Sequence, residues 1–173
     1  MQAGAPPDDF AVHGQNWGFP TYNWEKMAED GFRWWHKRFA QMGDYFDAFR
    51  IDHILGFFRI WSIPVTATQG IMGHFVPALP VKGYEFGRNG IFFDVNRFCK
   101  PFITPAVLQK MFGDRLSLFL TYLDDAGDGG YALKAELATQ RQVMDHFSNA
   151  EANDEISLFI RDGLLDLCAN IIL

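Results

Sequence analysis

The apolar and polar positions of this 173-residue chain follow two periods, helical in the longer stretches and alternating in short runs between them. Asn23 stands where it can cap a helical stretch that continues, with a break at Gly31, to about Met42. Residues 1 to 22 read as irregular. Phe46 to Ile51 alternates as a strand does, and Gly56 to Ser62 predicts a short helix before Pro64. Gly70, Gly73, Pro77, Pro80 and Gly83 then punctuate a loop-rich stretch. Thr104-Pro105 predicts a helix start, with threonine as cap and proline in the first turn, followed by Val107, Leu108 and Met111 on one face. Asp114 begins a further helix reaching Leu123. Asp124 to Gly130 turns, Tyr131 to Leu133 makes a brief strand, and Ala135 to Phe147 is helical. Asn153 or Asp154 caps a last helix whose stripe is Ile156, Phe159, Ile160, Leu164 and Leu167. The expected class is α+β, mainly α with few strands, and no segment repeats another.

Composition narrows the picture. A chain that is 49% hydrophobic and 21% charged buries a core and makes one compact unit. A formal net charge of -6 and the lack of a basic stripe argue against a nucleic-acid partner. No apolar run approaches the roughly 18 residues of a membrane span, and no basic-then-apolar leader opens the chain. A cytoplasmic location with no membrane partner is expected. Cys99 and Cys168 lack metal or redox spacing, so buried reduced thiols are the default. The histidines form no zinc pattern, and neither a metal nor another cofactor is expected. Asp125 to Glu136 has the length of a calcium loop, but glycine fills its third and fifth places, so a glycine-rich turn explains it better.

The candidate chemistry lies in Phe46-Asp47-Ala48-Phe49-Arg50-Ile51-Asp52-His53, an apolar run that ends in a cation, an acid and an imidazole. In an extended strand Arg50 and Asp52 point to one side and Ile51 to the other. A guanidinium beside a carboxylate favours its ionised form, which nucleophilic attack on an anomeric carbon requires. A strand-end ion pair on a solvated rim is the competing account. Trp34, Trp35, Phe39, Phe46 and Phe49 are expected in a core between an amphipathic helix and this strand. Trp17 and Tyr22 fall in a Gly- and Pro-punctuated loop, where ligand contact and loop packing are both open.

These residues do not stand alone. Gly4-Ala5-Pro6-Pro7-Asp8 and Gly14-Gln15-Asn16-Trp17-Gly18-Phe19-Pro20-Thr21-Tyr22-Asn23-Trp24 precede them, and Gly56-Phe57-Phe58-Arg59-Ile60-Trp61-Ser62-Ile63-Pro64 follows. Together they resemble the 4-α-glucanotransferases, the amylomaltase and disproportionating-enzyme family, with the nearest likeness to the cytosolic type that carries an insertion after the nucleophile's strand. Residues 82 to 147 resemble that insertion, including Tyr131-Ala132-Leu133-Lys134 and Ala138-Thr139-Gln140-Arg141. The resemblance implies a retaining transglycosylase that moves α-1,4-glucan segments from a donor to a sugar acceptor. It implies Asp52 as nucleophile, Arg50 as the arginine that orients it, and His53 as a contact to sugar hydroxyls. Trp17, Pro20 and Tyr22 fall on the family's substrate-groove loop, and Asp8 on the acid of its Pro-Pro-Asp motif.

The implied fold is a (β/α)8 barrel, of which this chain resembles a partial segment with a mostly helical insertion. The expected division is residues 1–65 as barrel segment with the nucleophile strand, 66–150 as insertion, and 151–173 as a helix returning to the barrel. A complete barrel needs about 250 residues, so a fragment is expected. A retaining reaction also needs a second carboxyl group. The family's glutamate in a Glu-Asp-Leu-Gly setting and its aspartate in a Thr-His-Asp setting do not occur here, and Glu25, Glu29, Glu85, Glu136, Glu151 and Glu155 read as surface acids. The fragment alone is therefore expected to be inactive. A lone barrel strand leaves ladder groups unpaired, so self-association or local rearrangement is expected too. Two rival readings stay open: a non-catalytic glucan-binding or assembly module, and a different barrel glycosidase sharing the Arg-Ile-Asp-His run.

Overall fold

A computed structural model describes residues 1–127, 129–148 and 154–172. The chain begins with two strands, β1 (Gln2–Ala5) and β2 (Gln15–Pro20), then two helices, α1 (Trp24–Ala28) and α2 (Arg33–Gly43). Strands β3 (Ile60–Ile63) and β4 (His74–Val76) follow, and then helices α3 (Gly83–Arg88), α4 (Val95–Phe98) and α5 (Pro105–Phe112). A hairpin of β5 (Leu123–Asp125) and β6 (Tyr131–Leu133) precedes α6 (Gln140–His146) and α7 (Glu155–Ala169). The class is mainly helical with few strands, as expected of a partial barrel-type fold with helical insertions.

Several local expectations hold for stated reasons. Gly31 takes a left-handed conformation, φ 68°, between α1 and α2, which only glycine adopts without strain. The Asn23 side chain accepts from the Lys26 amide and caps α1. Thr104 Oγ1 accepts from the Val107 amide, and Pro105 opens α5 without losing a helical hydrogen bond. Asp154 caps α7, whereas Asn153 lies outside the described residues. Its carboxyl is held below the ordinary value by hydrogen bonds from the Ser157 hydroxyl and amide.

The first 76 residues depart from expectation. Residues 1 to 22 are not irregular: β1 and β2 pair, and the sheet runs β2-β1-β3-β4 with every neighbour antiparallel. Gln-Ala-Gly-Ala has weak strand propensity, so the pairing is decided by close backbone approach. At Gly4 a Cβ would collide with the Gln15 carbonyl and the Ile63 side chain. Conversely, Phe46–Ile51 forms no strand, and every residue in it is exposed. The ladders of β1 and β3 are filled on both sides, and the run joins neither free edge of the sheet, β2 or β4. His53 at φ 49° then turns the chain into a 3₁₀ segment, Ile54–Phe57, so Gly56 to Ser62 is part turn and part β3 rather than a helix. Asp114 to Leu123 makes two 3₁₀ turns, and Ala135 to Phe147 is a 3₁₀ turn followed by α6.

The core is also elsewhere than expected. Ile103, Leu108, Phe119, Leu123, Leu137, Val143, Ile160, Leu164, Leu165, Leu167 and Cys168 form one buried cluster, joining α5, α6 and α7 to the β5–β6 hairpin. Phe112 stacks on Phe119 at 3.8 Å, and Phe159 meets both edge-on. Gly163 lets α7 close on this pair, because a Cβ there would fall 2.5 Å from the Phe119 ring. By contrast α2 buries no residue, and Trp34, Phe46 and Phe49 remain 45%, 62% and 47% exposed. Ile156 of the α7 stripe is exposed as well. Burying a large apolar side chain stabilises a fold by about 1.5–3 kcal/mol, so stability concentrates in residues 103–168.

Two titratable groups report this packing. Burial pushes the Cys168 thiol up to about 11, which makes it inert, while Cys99 is exposed rather than buried. Burial also raises the Asp166 carboxyl on α7; the His13 charge opposes that rise and Asp162 adds to it. A raised folded value means that the contribution of this acid is full in acid and lost as pH rises through that value. Asp166→Asn is therefore expected to raise the urea midpoint at neutral pH, with the gain vanishing below about pH 3. An equal midpoint at neutral pH would remove burial as the cause.

Candidate functional site

Between β2, α2 and the 49–60 segment lies an open cleft of about 750 Å³. β2 supplies Trp17, Phe19 and Pro20, and Thr21 and Tyr22 continue the wall into α1. One face of α2 supplies Trp35, Arg38, Phe39 and Met42, at the i, i+3, i+4, i+7 spacing that places residues on one side of a helix. Phe49, Arg50, Ile51, Asp52 and His53 form the opposite rim, with Gly56, Phe57 and Ile60 behind them.

The rim carries the charge. An Arg50 nitrogen donates to Asp52 Oδ1 at 3.4 Å, and both side chains are 89% exposed. An ion pair this open to water contributes little to stability. The two groups meet although no strand aligns them. His53 stands edge-on to Trp17, ring centres 5.5 Å apart, and Trp17 Nε1 donates to Gln15 Oε1 at 3.0 Å. His53 has a left-handed backbone, φ 49°, strain that a non-glycine residue adopts only when neighbours hold it, and here its ring lies between Trp17 and Gly56.

Aromatic rings make the wall. Tyr22 contacts Trp24, Trp34 and Trp35, with centroids 5.1, 5.9 and 5.2 Å away. Trp35 stacks on Phe39, Phe39 stacks on Phe49, and Arg38 lies 5.2 Å over Trp34. Trp35 Nε1 is buried and has no hydrogen-bond partner among the described residues. An unmatched donor of this kind is costly until an oxygen reaches it.

Six of the seven residues singled out in the sequence, Trp17, Pro20, Tyr22, Arg50, Asp52 and His53, line this one cleft. Asp8 does not. Its Oδ1 accepts from the amides of Phe10 and Ala11 at 3.0 and 2.7 Å, shaping the loop between β1 and β2. Sequence reasoning missed Phe19, Trp35, Arg38, Phe39 and Phe57 as cleft residues. The signal was present in Arg38: a cation inside the Trp35–Met42 stripe marks a face open to water, not one packed into a core. Asp52 is the one carboxylate lining the cleft among the described residues. No group of three metal-ligating side chains occurs among the described residues, and no helix there is long and apolar enough to cross a membrane.

The profile described as 4-alpha-glucanotransferase matches residues 1–151. The rice (Oryza sativa subsp. japonica) protein 4-alpha-glucanotransferase DPE2 is 40% identical over 98% of this chain, a stretch that makes up 18% of the rice protein. The potato (Solanum tuberosum) 4-alpha-glucanotransferase, chloroplastic/amyloplastic, is 46% identical over 41% of this chain and 12% of its own length. The 4-alpha-glucanotransferase of Streptococcus pneumoniae serotype 4 is 45% identical over 43% of this chain and 15% of its own length. The chain thus spans less than a fifth of these relatives. With its profile match covering most of its residues, the chain belongs to the 4-alpha-glucanotransferase family.

Proposed function

We propose that this chain carries the nucleophile half of a retaining 4-α-glucanotransferase, with Asp52 as the attacking group. A lone carboxylate held by an arginine on the rim of an aromatic-walled cleft is the observation that supports this most directly. Flat rings such as Trp17, Tyr22 and Trp35 suit the apolar faces of glucose units. Arg50 orients the Asp52 oxygens, and His53 donates to or accepts from a hydroxyl of the bound glucosyl unit. Asp8 supports the groove loop from outside.

In the reaction, an Asp52 oxygen bonds to the anomeric carbon as the bond from that carbon to the bridging oxygen breaks. The departing oxygen takes a proton from a general acid, and the acceptor hydroxyl later displaces Asp52 while losing its own proton to the same group. That acid is not among the residues lining this cleft. The isolated chain therefore has half the machinery and is inactive on natural glucans. Residues 1–65 act as barrel segment, 66–150 as insertion and 151–173 as a helix returning to the barrel. The donor is an α-1,4-glucan, the acceptor another sugar, and the location cytoplasmic, as for the insertion-bearing disproportionating type that the chain resembles. Copies of the isolated chain also self-associate by pairing strands, for which the outer strands β2 and β4 offer free ladder groups.

The deciding experiment uses a fluoroglucosyl fluoride, because fluoride departs without a proton and so bypasses the missing acid. Peptide mass spectrometry is expected to find the sugar ester on Asp52 and none after Asp52→Asn. An ester on another side chain sinks the assignment. Binding of maltooligosaccharide without any ester, even at long times, favours instead a non-catalytic glucan-binding or assembly module.

A further inference from the structure

The Ala138-Thr139-Gln140-Arg141 run does not line the cleft, yet its glutamine is among the most buried side chains described. Gln140 is 1% exposed at the first position of α6. Thr139 and Gln142 occupy each other in a capping box, which leaves the Gln140 side chain free to turn inward. It then satisfies both ends. Its Oε1 accepts from the amides of Thr68 and Gln69, each at 3.0 Å, and its Nε2 donates to Gln69 Oε1 at 2.6 Å and to the Leu165 carbonyl at 3.4 Å. The Arg141 amide adds a bond to the Thr66 carbonyl at 2.9 Å. A buried side chain matched this completely fixes the segments that it joins.

The segment it holds is the one on which β2 rests. Directly after Gln69, Gly70 packs so closely on Gln15 that a Cβ would collide with the Gln15 amide and lie 2.7 Å from the Ala5 carbonyl. The Gly70 carbonyl accepts from Trp61 Nε1 at 2.7 Å, and the Ile71 amide donates to the His13 carbonyl at 2.7 Å. Gln15, at the start of β2, in turn holds the Trp17 indole that faces His53. An unbroken series of contacts thus runs from α6 and α7 through residues 68–71 to the wall of the cleft.

We propose that Gln140 is a positioning residue for the cleft: by pinning residues 68–71 it sets the start of β2 and the placement of the Trp17 indole beside His53. The helical part of the chain then serves the sugar-binding part. This inference rests on the reading of that cleft as a glucan site only for its functional consequence, since the positioning itself is observable without a sugar.

The test is made on the full chain labelled uniformly with ¹⁵N, so that its five tryptophan indoles and its backbone amides are read together. In Gln140→Leu, of similar volume but without polar atoms, the Trp17 and Trp61 indole signals are expected to shift while the Trp34 signal stays. The Thr68 and Gln69 amides lose protection from hydrogen exchange, and maltoheptaose affinity falls about fivefold or more. A folded Gln140→Leu protein with an unmoved Trp17 signal and protected amides overturns the proposal. Should that variant not fold, Gln69→Ala, which removes only the 2.6 Å side-chain bond, decides instead. A shifted Trp17 signal there supports the proposal, and an unmoved one overturns it. Wild-type chain that ignores maltoheptaose defeats the glucan reading alone, because the indole and exchange readouts need no ligand.

Discussion

Incubated with maltotriose, the purified chain is expected to return it unchanged, although the same preparation acquires a sugar ester from a fluoroglucosyl donor. The difference comes from the leaving group. A departing sugar oxygen needs a proton as its bond breaks, and a positioned general acid contributes about 10²–10⁴-fold to such a step. Asp52 is the single carboxylate on the cleft among the described residues, so no second carboxyl group there delivers that proton. Subsites fall short as well, since Arg50 and Asp52 are each 89% exposed and the glycosyl-enzyme would lie open to water. Chromatography of the sugars after prolonged incubation makes the check. Glucose and longer maltooligosaccharides appearing above a blank, and absent with Asp52→Asn, would show that a second acid acts from somewhere in this chain.

The second large effect is on stability. Phe119→Ala is expected to lower the unfolding free energy by about 3–5 kcal/mol, as measured by urea titration. Phe119 is fully buried, stacked on Phe112 and packed against Gly163, where little space exists for collapse. Trp34→Ala, which removes a larger ring, is expected to cost less than about 1 kcal/mol, because Trp34 is 45% exposed and its ring partners are the exposed Tyr22 and the half-buried Trp35. The ranking is the test. If Trp34→Ala proved the costlier, the centre of stability would lie around the cleft rather than among α5, α6 and α7.

Much of the local structure was legible because its causes are local. Thr104-Pro105, Asn23, Gly31 and Asp154 act within a turn or two of themselves, through a side-chain cap or a permitted φ. The α7 stripe is the same kind of signal, and Leu164 and Leu167 are fully buried as its period requires. The strand at Phe46–Ile51 was misread because alternation is necessary for a strand but does not provide a partner. β1 was overlooked for the converse reason: four small or polar residues carry no strand signal, and the ladder comes from β2 and β3 on either side. The aromatic stripe of α2 was read as core because a buried face and a ligand-facing wall use the same side chains.

The site divides along the same line. Trp17, Pro20, Tyr22, Arg50, Asp52 and His53 could be named from motif order, whereas Phe19, Trp35, Arg38 and Phe39 joined them only when β2 and α2 met across the cleft. Asp8, named with the first group, turned inward on its own loop instead. Gln140 had a motif but no purpose until the fold brought Thr68, Gln69 and Leu165 around it, about 70 residues away in the first two cases.

By itself, then, the order of residues determined helix starts, turns, the helical stripe and the chemistry of the Arg-Ile-Asp-His run, since each depends on neighbours a few positions apart. Tertiary structure alone decided which strands pair, that the core lies in residues 103–168 while the aromatics of α2 face a cleft, and that a buried glutamine ties the two together. Those outcomes depend on backbone ladders and buried polar groups finding partners far along the chain, and no local pattern encodes where such partners will be.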